Sequence, residues 1–276
     1  PCSVIAAMSI EQMGAVLLAF EGMSILSLLL QKKRIPAVIW IQIAITFVAF
    51  VILFMAPGND MRVASEITTW MPGYKELSVG NHLFMTIQWM LSSFANEGKA
   101  FFIAIWAAGF LLLMKSKKAK VYQILAVVFS VVALLPYAGI SFFSEMGIGY
   151  IDIEQRLMEL PTWQTMTIQN RIAFFWWIAA VLFTLVLLWK VTGHSVFISM
   201  VFLGGIASEA VLHFSPTIYA SGARVYYLTD LMYLFIILWM VMHMDSEKKK
   251  NLFIAGVVVL GVANFLSQYS IMLLKL

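Results

Sequence analysis

Eight apolar runs punctuate this chain, at about 13 to 30, 36 to 56, 100 to 114, 121 to 143, 172 to 189, 195 to 213, 225 to 244 and 252 to 274. Each reads as one crossing of a bilayer, for which an α-helix needs roughly 20 mostly apolar residues. Eight crossings use about 160 residues on that scale, so 276 residues leave room for connections and for no sizeable soluble domain. Composition agrees. Hydrophobic residues make up 62% and charged residues 12% of the chain, with a mean hydropathy of +0.91, well above the apolar share of a water-soluble globule. A soluble fold, a disordered chain and a nucleic-acid binder are thereby excluded, and the single Cys2 excludes an internal disulfide. The expected fold is all-α: one transmembrane domain over 1–276, a polytopic helix bundle of about eight spans, with short interfacial helices in its outer loops.

The connections carry the orientation. Lys32, Lys33 and Arg34, then Lys115, Lys117, Lys118 and Lys120, then Lys190, then Lys248, Lys249 and Lys250 make every second connection basic. Basic connections stay in the cytoplasm, which puts the N-terminus, 57 to 99, 144 to 171, 214 to 224 and the C-terminus outside. The formal charge of +4 therefore reports topology before it reports any acidic partner. The two long outer segments carry Asp60, Glu66, Glu76 and Glu97, and Glu145, Asp152, Glu154 and Glu159. Their Trp70, Tyr74, Trp89, Tyr150 and Trp163 suit amphipathic helices in the headgroup layer, around 83 to 95 and 153 to 160. No internal repeat is visible. The chain opens Pro-Cys-Ser with no basic leader, which reads as a processed chain or the later part of a longer one.

Ionisable groups within apolar runs are costly, roughly 2.5 to 3.5 kcal/mol each, and so are candidates for function. They are Glu11 and Glu21 in the first run, Glu209 in the sixth, and Arg224 and Asp230 at the start of the seventh; the blander reading, that Arg224 and Asp230 snorkel to the interface or pair with one another, is weakened by the clustering of these groups. Where the second run ends, Ala56-Pro57-Gly58-Asn59-Asp60-Met61-Arg62 predicts a tight turn: Pro57 stops the helix, Gly58 and Asn59 tolerate positive φ, and Asn59, Asp60 and Arg62 fold back over the helix end. An Arg fork suits phosphate oxygens, and Asn with Asp suits sugar hydroxyls. A plain helix-terminating turn accounts for the same residues. On the same outer side, Ser215-Pro216-Thr217-Ile218-Tyr219-Ala220-Ser221-Gly222-Ala223-Arg224 offers Ser215, Ser221, backbone N–H groups and Arg224 to an anion, or is simply a hairpin between helices. Glu209 and His213 stand four apart on the helix before it. Pro136 and Gly139 predict a kink that frees the carbonyl of Val132. The many methionines and Gly204-Gly205 read as packing.

Ser9-Ile10-Glu11-Gln12, Ala-Pro-Gly-Asn-x-x-Arg at 56 to 62 and Ser-Pro-Thr-x-x-x-Ser-Gly-x-Arg at 215 to 224 together resemble a family of bacterial multi-pass membrane proteins related to glycosyltransferases of the GT-C superfold. The resemblance covers nearly the whole chain, as the C-terminal part of a longer protein. It implies transfer of a sugar from a polyprenyl-phosphate carrier to an extracytoplasmic acceptor such as an envelope polysaccharide, at the outer face of a bacterial cytoplasmic membrane. Transferases of that superfold carry a catalytic Asp or Glu in the first outer loop of the complete protein. Here the first connection, 31 to 34, is basic and cytoplasmic, so no residue takes that role by position.

The site expected on these grounds uses Glu11, Asp60 and Glu209 as candidates for orienting or deprotonating the acceptor hydroxyl. Arg62 and Arg224 bind the carrier phosphate and stabilise its departing charge, Gln12 and Asn59 hold sugar hydroxyls, and Ser215, Ser221 and Asp230 complete the binding set. The expected partners are the lipid bilayer, a polyprenyl-phosphate-linked sugar, an envelope glycan acceptor and a partner membrane protein, with no nucleic acid. No cofactor is indicated: no His, Cys and Asp cluster has metal-ligand spacing, and no nucleotide fingerprint occurs. Two other readings stay open, a transporter or flippase for an anionic lipid-linked glycan and a non-catalytic membrane subunit that docks an enzyme.

Overall fold

A computed structural model describes residues 11–138, 163, 168–193, 196–211, 216 and 226–273. Among the described residues the fold is all-helical, with ten α-helices and no strand. They are α1 (Glu11–Leu30), α2 (Ala37–Phe54), α3 (Pro57–Trp70), α4 (Val79–Asn96), α5 (Lys99–Leu113), α6 (Lys120–Leu134), α7 (Ile168–Val191), α8 (Val196–Ala210), α9 (Tyr227–Met242) and α10 (Glu247–Leu273). The helices divide between two compact units, with the division falling inside α4 and α9.

The first unit holds α1, α2, α3, the start of α4, α8 and the first residues of α9. Its core forms where α1 packs on α2 and on α8. On α2 the 3.6-residue period sorts the side chains cleanly. Thr46 and Ala49 are buried against α1, while Val38, Ile41, Ile45, Val48 and Ile52 make a continuous exposed apolar face. At α8, Gly204 lets neighbours come close: a Cβ there would stand 3.2 Å from the Phe20 ring of α1 and 3.4 Å from the Met232 sulfur of α9.

In the second unit α5 is the centre, packed by α6, α7 and α10. Its core is aromatic. Phe102 and Trp106 of α5 are fully buried, with ring centroids 5.7 Å apart; Phe102 meets Trp177 of α7 at 5.6 Å, and Trp106 meets Phe129 of α6 at 5.5 Å. The Trp106 indole N–H donates to Thr184 Oγ1 at 2.8 Å, so its polar atom is satisfied inside the core. The C-terminal carbonyls of α5, which a helix leaves without partners, are taken up by neighbours. Lys249 Nζ donates to Leu111 O at 2.8 Å and Gln123 Nε2 to Leu113 O at 2.6 Å.

Two helical stretches are long and apolar enough to cross a membrane, Asn170–Val191 and Glu247–Leu266, and a third counts if α4 and α5, bent by 69° at a short break, form one broken span. Four further apolar stretches fall shorter, Met13–Leu29, Ala37–Leu53, Val196–Ala210 and Tyr227–Met242; the first two, at 1.5 Å per residue, reach about 25 Å, less than the roughly 30 Å of a typical hydrocarbon core.

Three local expectations change. Pro57 begins a helix: it sits at the first position of α3 behind an extended Ala56, and among the described residues positive φ occurs only at Lys32, Gly73 and Gly193. The tight turn at 57 to 62 is therefore a helical first turn, because Pro lacks the N–H that this position leaves unbonded anyway. The Val132 carbonyl is not freed, since the Leu135 N–H takes it as α6 tightens into a 3-10 turn over Leu135–Ala138. The helix expected on the surface at 83 to 95 is α4, and it has Met85, Trp89, Leu91 and Phe94 buried. Gly139 and the helix expected at 153 to 160 lie outside the described residues.

Candidate functional site

Buried polar side chains gather in the first unit, where α8 meets α9 and where α4 meets the residue before α9. The Thr229 hydroxyl of α9 donates to Gly205 O of α8 at 3.0 Å, a contact that needs the two backbones close and that the glycine pair permits. One turn further along α8 stand Ser208, fully buried, and Glu209, 2% exposed. Ser208 Oγ has no hydrogen-bond partner among the described residues. At the start of α9, the Tyr226 ring lies 5.2 Å from that of Trp89 on α4. Gln88 beside it is 2% exposed, and its Oε1 is buried without a hydrogen-bond partner among the described residues. Asp230 lies half-buried in the first turn of α9, where the positive end of the helix dipole favours a carboxylate.

A second buried acid lies on α1. Glu21, at the middle of α1 and 7% exposed, accepts a hydrogen bond from the Thr46 hydroxyl of α2 at 2.8 Å, while its Oε2 is buried with no hydrogen-bond partner among the described residues. It ties α1 to α2 through a group that a lipid-exposed helix could not carry.

Of the residues expected from sequence, Glu209 and Asp230 belong to this polar seam. Asp60 and Arg62 sit exposed on α3, and Arg62 Nε lies 3.7 Å from Glu66 Oε1. They do not fold back over the end of α2, because the helical first turn carries them along α3 instead. Glu11 and Gln12 open α1 and Asn59 falls in the first turn of α3; the side chains of all three lie outside the described residues. So do Ser215, Ser221, Arg224 and His213, and of that loop only Pro216 is described, as buried. Gln88, Ser208 and Thr229 were not legible as site residues. Uncharged side chains in apolar runs carry no signal until their burial is seen.

Chemically, the first unit offers a buried carboxylate, Glu209, next in sequence to the buried Ser208 hydroxyl, and separately a buried Gln88 amide with an open acceptor, side-chain types that bind a polyhydroxylated ligand or move a proton. Among the described residues no group of three or more His, Cys, Asp or Glu could hold a metal ion. Two helical stretches long and apolar enough to cross a membrane point to an all-helical, membrane-associated protein. Comparison with protein-family models, with curated proteins and with solved structures finds no match to this chain.

Proposed function

We propose that the protein is the membrane part of a glycosyltransferase, a bundle of about eight spans that moves a sugar from a polyprenyl-phosphate carrier to an envelope glycan outside the bacterial cytoplasmic membrane. The observation that carries the reading is the burial of Glu209, 2% exposed beside Ser208. A carboxylate kept in so apolar a helix costs several kcal/mol, on the order of the insertion penalty for an acid at mid-span, and is retained where it does chemistry.

In this reading Glu209 accepts the proton of the acceptor hydroxyl as its oxygen bonds to the sugar's anomeric carbon. The bond from that carbon to the carrier phosphate oxygen breaks, and the electron pair stays on the phosphate. Arg224 stabilises that charge, Asp230 and Ser208 orient the acceptor, Gln12 and Asn59 hold sugar hydroxyls, and Ser215 and Ser221 donate to the phosphate. Asp60 and Glu11 are the remaining candidates for the base, and the burial of Glu209 favours it over the exposed Asp60.

The test is complementation of a gene deletion. Deletion accumulates one carrier-linked sugar and removes one envelope decoration, both read by mass spectrometry, and Glu209→Gln fails to restore them. General bases contribute roughly 100- to 10,000-fold, so transfer by a stably inserted Glu209→Gln protein at near the wild-type rate would remove Glu209 from the mechanism.

The break between α4 and α5, bent by 69°, favours a second reading, since interrupted helices build substrate sites in transporters. A flippase would leave the sugar on its carrier and change only the leaflet in which it resides.

A further inference from the structure

The second unit contains a cavity of about 550 Å³ between α5, α6 and α10, almost wholly apolar, with Phe110 and Leu252 towards one end and Tyr137 and Ala263 towards the other. Along α10 the lining runs from Leu252 to Ala263, about 16 Å at 1.5 Å per residue. That is about half the roughly 30 Å hydrocarbon core of a bilayer, the depth of one leaflet. The cavity is open along α10, where the lining Leu252 and Val259 are 64% and 69% exposed.

The end of the cavity near Tyr137 is polar and positively charged. The Tyr137 hydroxyl donates to Asn264 Oδ1 of α10 at 2.8 Å, and the face of its ring carries the Lys99 ammonium 4.7 Å from the centroid. Lys99 opens α5 one turn ahead of Ile103, which lines the cavity, and it is 8% exposed. Among the described residues no carboxylate lies within ion-pair reach of it. A cation shut away from water with only an aromatic face beside it is incompletely compensated. An apolar slot one leaflet deep, with such a cation one helical turn beyond its Ile103 end and on the ring of the lining Tyr137, has the chemistry of an acyl chain below a phosphate.

We propose that this cavity holds one acyl chain of an anionic glycerophospholipid, with the lipid phosphate paired to Lys99. The proposal stands independently of sugar transfer. Its length favours a glycerophospholipid over a long isoprenoid phosphate, whose chain exceeds one leaflet.

The test uses the full chain purified from mixed phosphatidylglycerol and phosphatidylcholine bilayers and weighed by native mass spectrometry. One phosphatidylglycerol per chain is expected, retained over phosphatidylcholine by tenfold or more. Lys99→Gln brings that preference close to one, while Lys99→Arg keeps it. Gly256 lines the cavity and a Cβ there would meet nothing within 4 Å, so Gly256→Phe has room to fill the slot and lowers retention of the lipid by at least tenfold, even if Lys99→Gln fails to fold. Equal retention of the two lipids by the wild type, an unchanged preference in Lys99→Gln, full retention in Gly256→Phe, or an isoprenoid phosphate recovered in place of the phospholipid would each overturn the proposal.

Discussion

Asp245, in the connection between α9 and α10, is held by two lysines, with Lys115 Nζ 2.6 Å from Oδ2 and Lys249 Nζ 2.9 Å from Oδ1. The hydrogen bond from Lys115 and then that from Lys249 lower its carboxyl pKa to about 2 from the ordinary 3.8. A depressed folded-state pKa means that the ionised form is favoured by folding, so the contribution is complete above about pH 4 and is lost as pH falls towards 2. The expected outcome is a stability gap between wild type and Asp245→Asn in thermal unfolding at pH 7 that narrows below pH 4 and closes near pH 2. A gap independent of pH would mean that the lysines do not act through charge. Residues of this kind mark the boundary of what the sequence carries about a site. Glu209 and Asp230 were legible because an acid in an apolar run is conspicuous by itself. Gln88 and Lys99 were not, because their burial is made by residues far along the chain, Tyr137 beneath Lys99 among them. Arg62 was read as a phosphate clamp from a turn that the chain does not make, and its neighbour one helical turn on is Glu66.

In the second unit Gly109 of α5 lies close against α7. A Cβ there would stand 2.7 Å from Leu187 Cδ2 and 3.0 Å from its Cγ, and Leu187 of α7 is fully buried. Gly109→Ala is therefore expected to destabilise the fold by about 1 to 3 kcal/mol, the usual cost of overpacking, read as a lowered midpoint of thermal unfolding in detergent. Gly256→Ala, with open space at its Cβ, is the control and leaves the midpoint unchanged. Equal midpoints for Gly109→Ala and wild type would mean that α5 and α7 do not approach as described. The apolar runs at 36 to 56 and 172 to 189 anticipate α2 and α7 closely because continuous hydrophobicity needs no partner to be seen. Helix α3 escaped notice for the opposite reason. It is mostly polar and exposed, and its starting Pro57 reads as a stop signal for α2 until Asp60 in the first turn and the Arg62–Glu66 spacing are taken with it as signals of a helix start. The 69° bend between α4 and α5 falls where Gly98 and Lys99 interrupt two apolar stretches, and a single run at 100 to 114 gave no sign that the preceding helix ends against it.

At the scale of the whole molecule the exposed side chains decide the solvent. Val38, Phe47 and Ile52 on α2 in the first unit, and Val121 and Val131 on α6 and Leu252 and Val259 on α10 in the second, are each more than half exposed, more apolar surface on each unit than suits water and the ordinary surface of a protein in lipid. Orientation in that lipid rests on the lysines. The Lys115–Asp245–Lys249 contact holds the connection before α6 beside the connection before α10, so Lys115, Lys117 and Lys118 share one end of the second unit with Lys248, Lys249 and Lys250. Two basic connections joined by an ion pair have to lie on one side of a membrane, and the side expected from the positive-inside rule is the cytoplasm. With Cys2 replaced by Ser, single reporters test this directly. Lys117→Cys and Lys248→Cys, both at exposed positions, are expected to resist a membrane-impermeant maleimide in intact cells and to label after permeabilisation. Thr68→Cys, exposed on α3, is expected to label in intact cells, because one apolar run, α2, separates the basic residues 32 to 34 from α3. Labelling of Lys117→Cys and Lys248→Cys from opposite sides would be incompatible with the Lys115–Asp245 pair. Labelling of both from outside would invert the orientation expected from the basic connections.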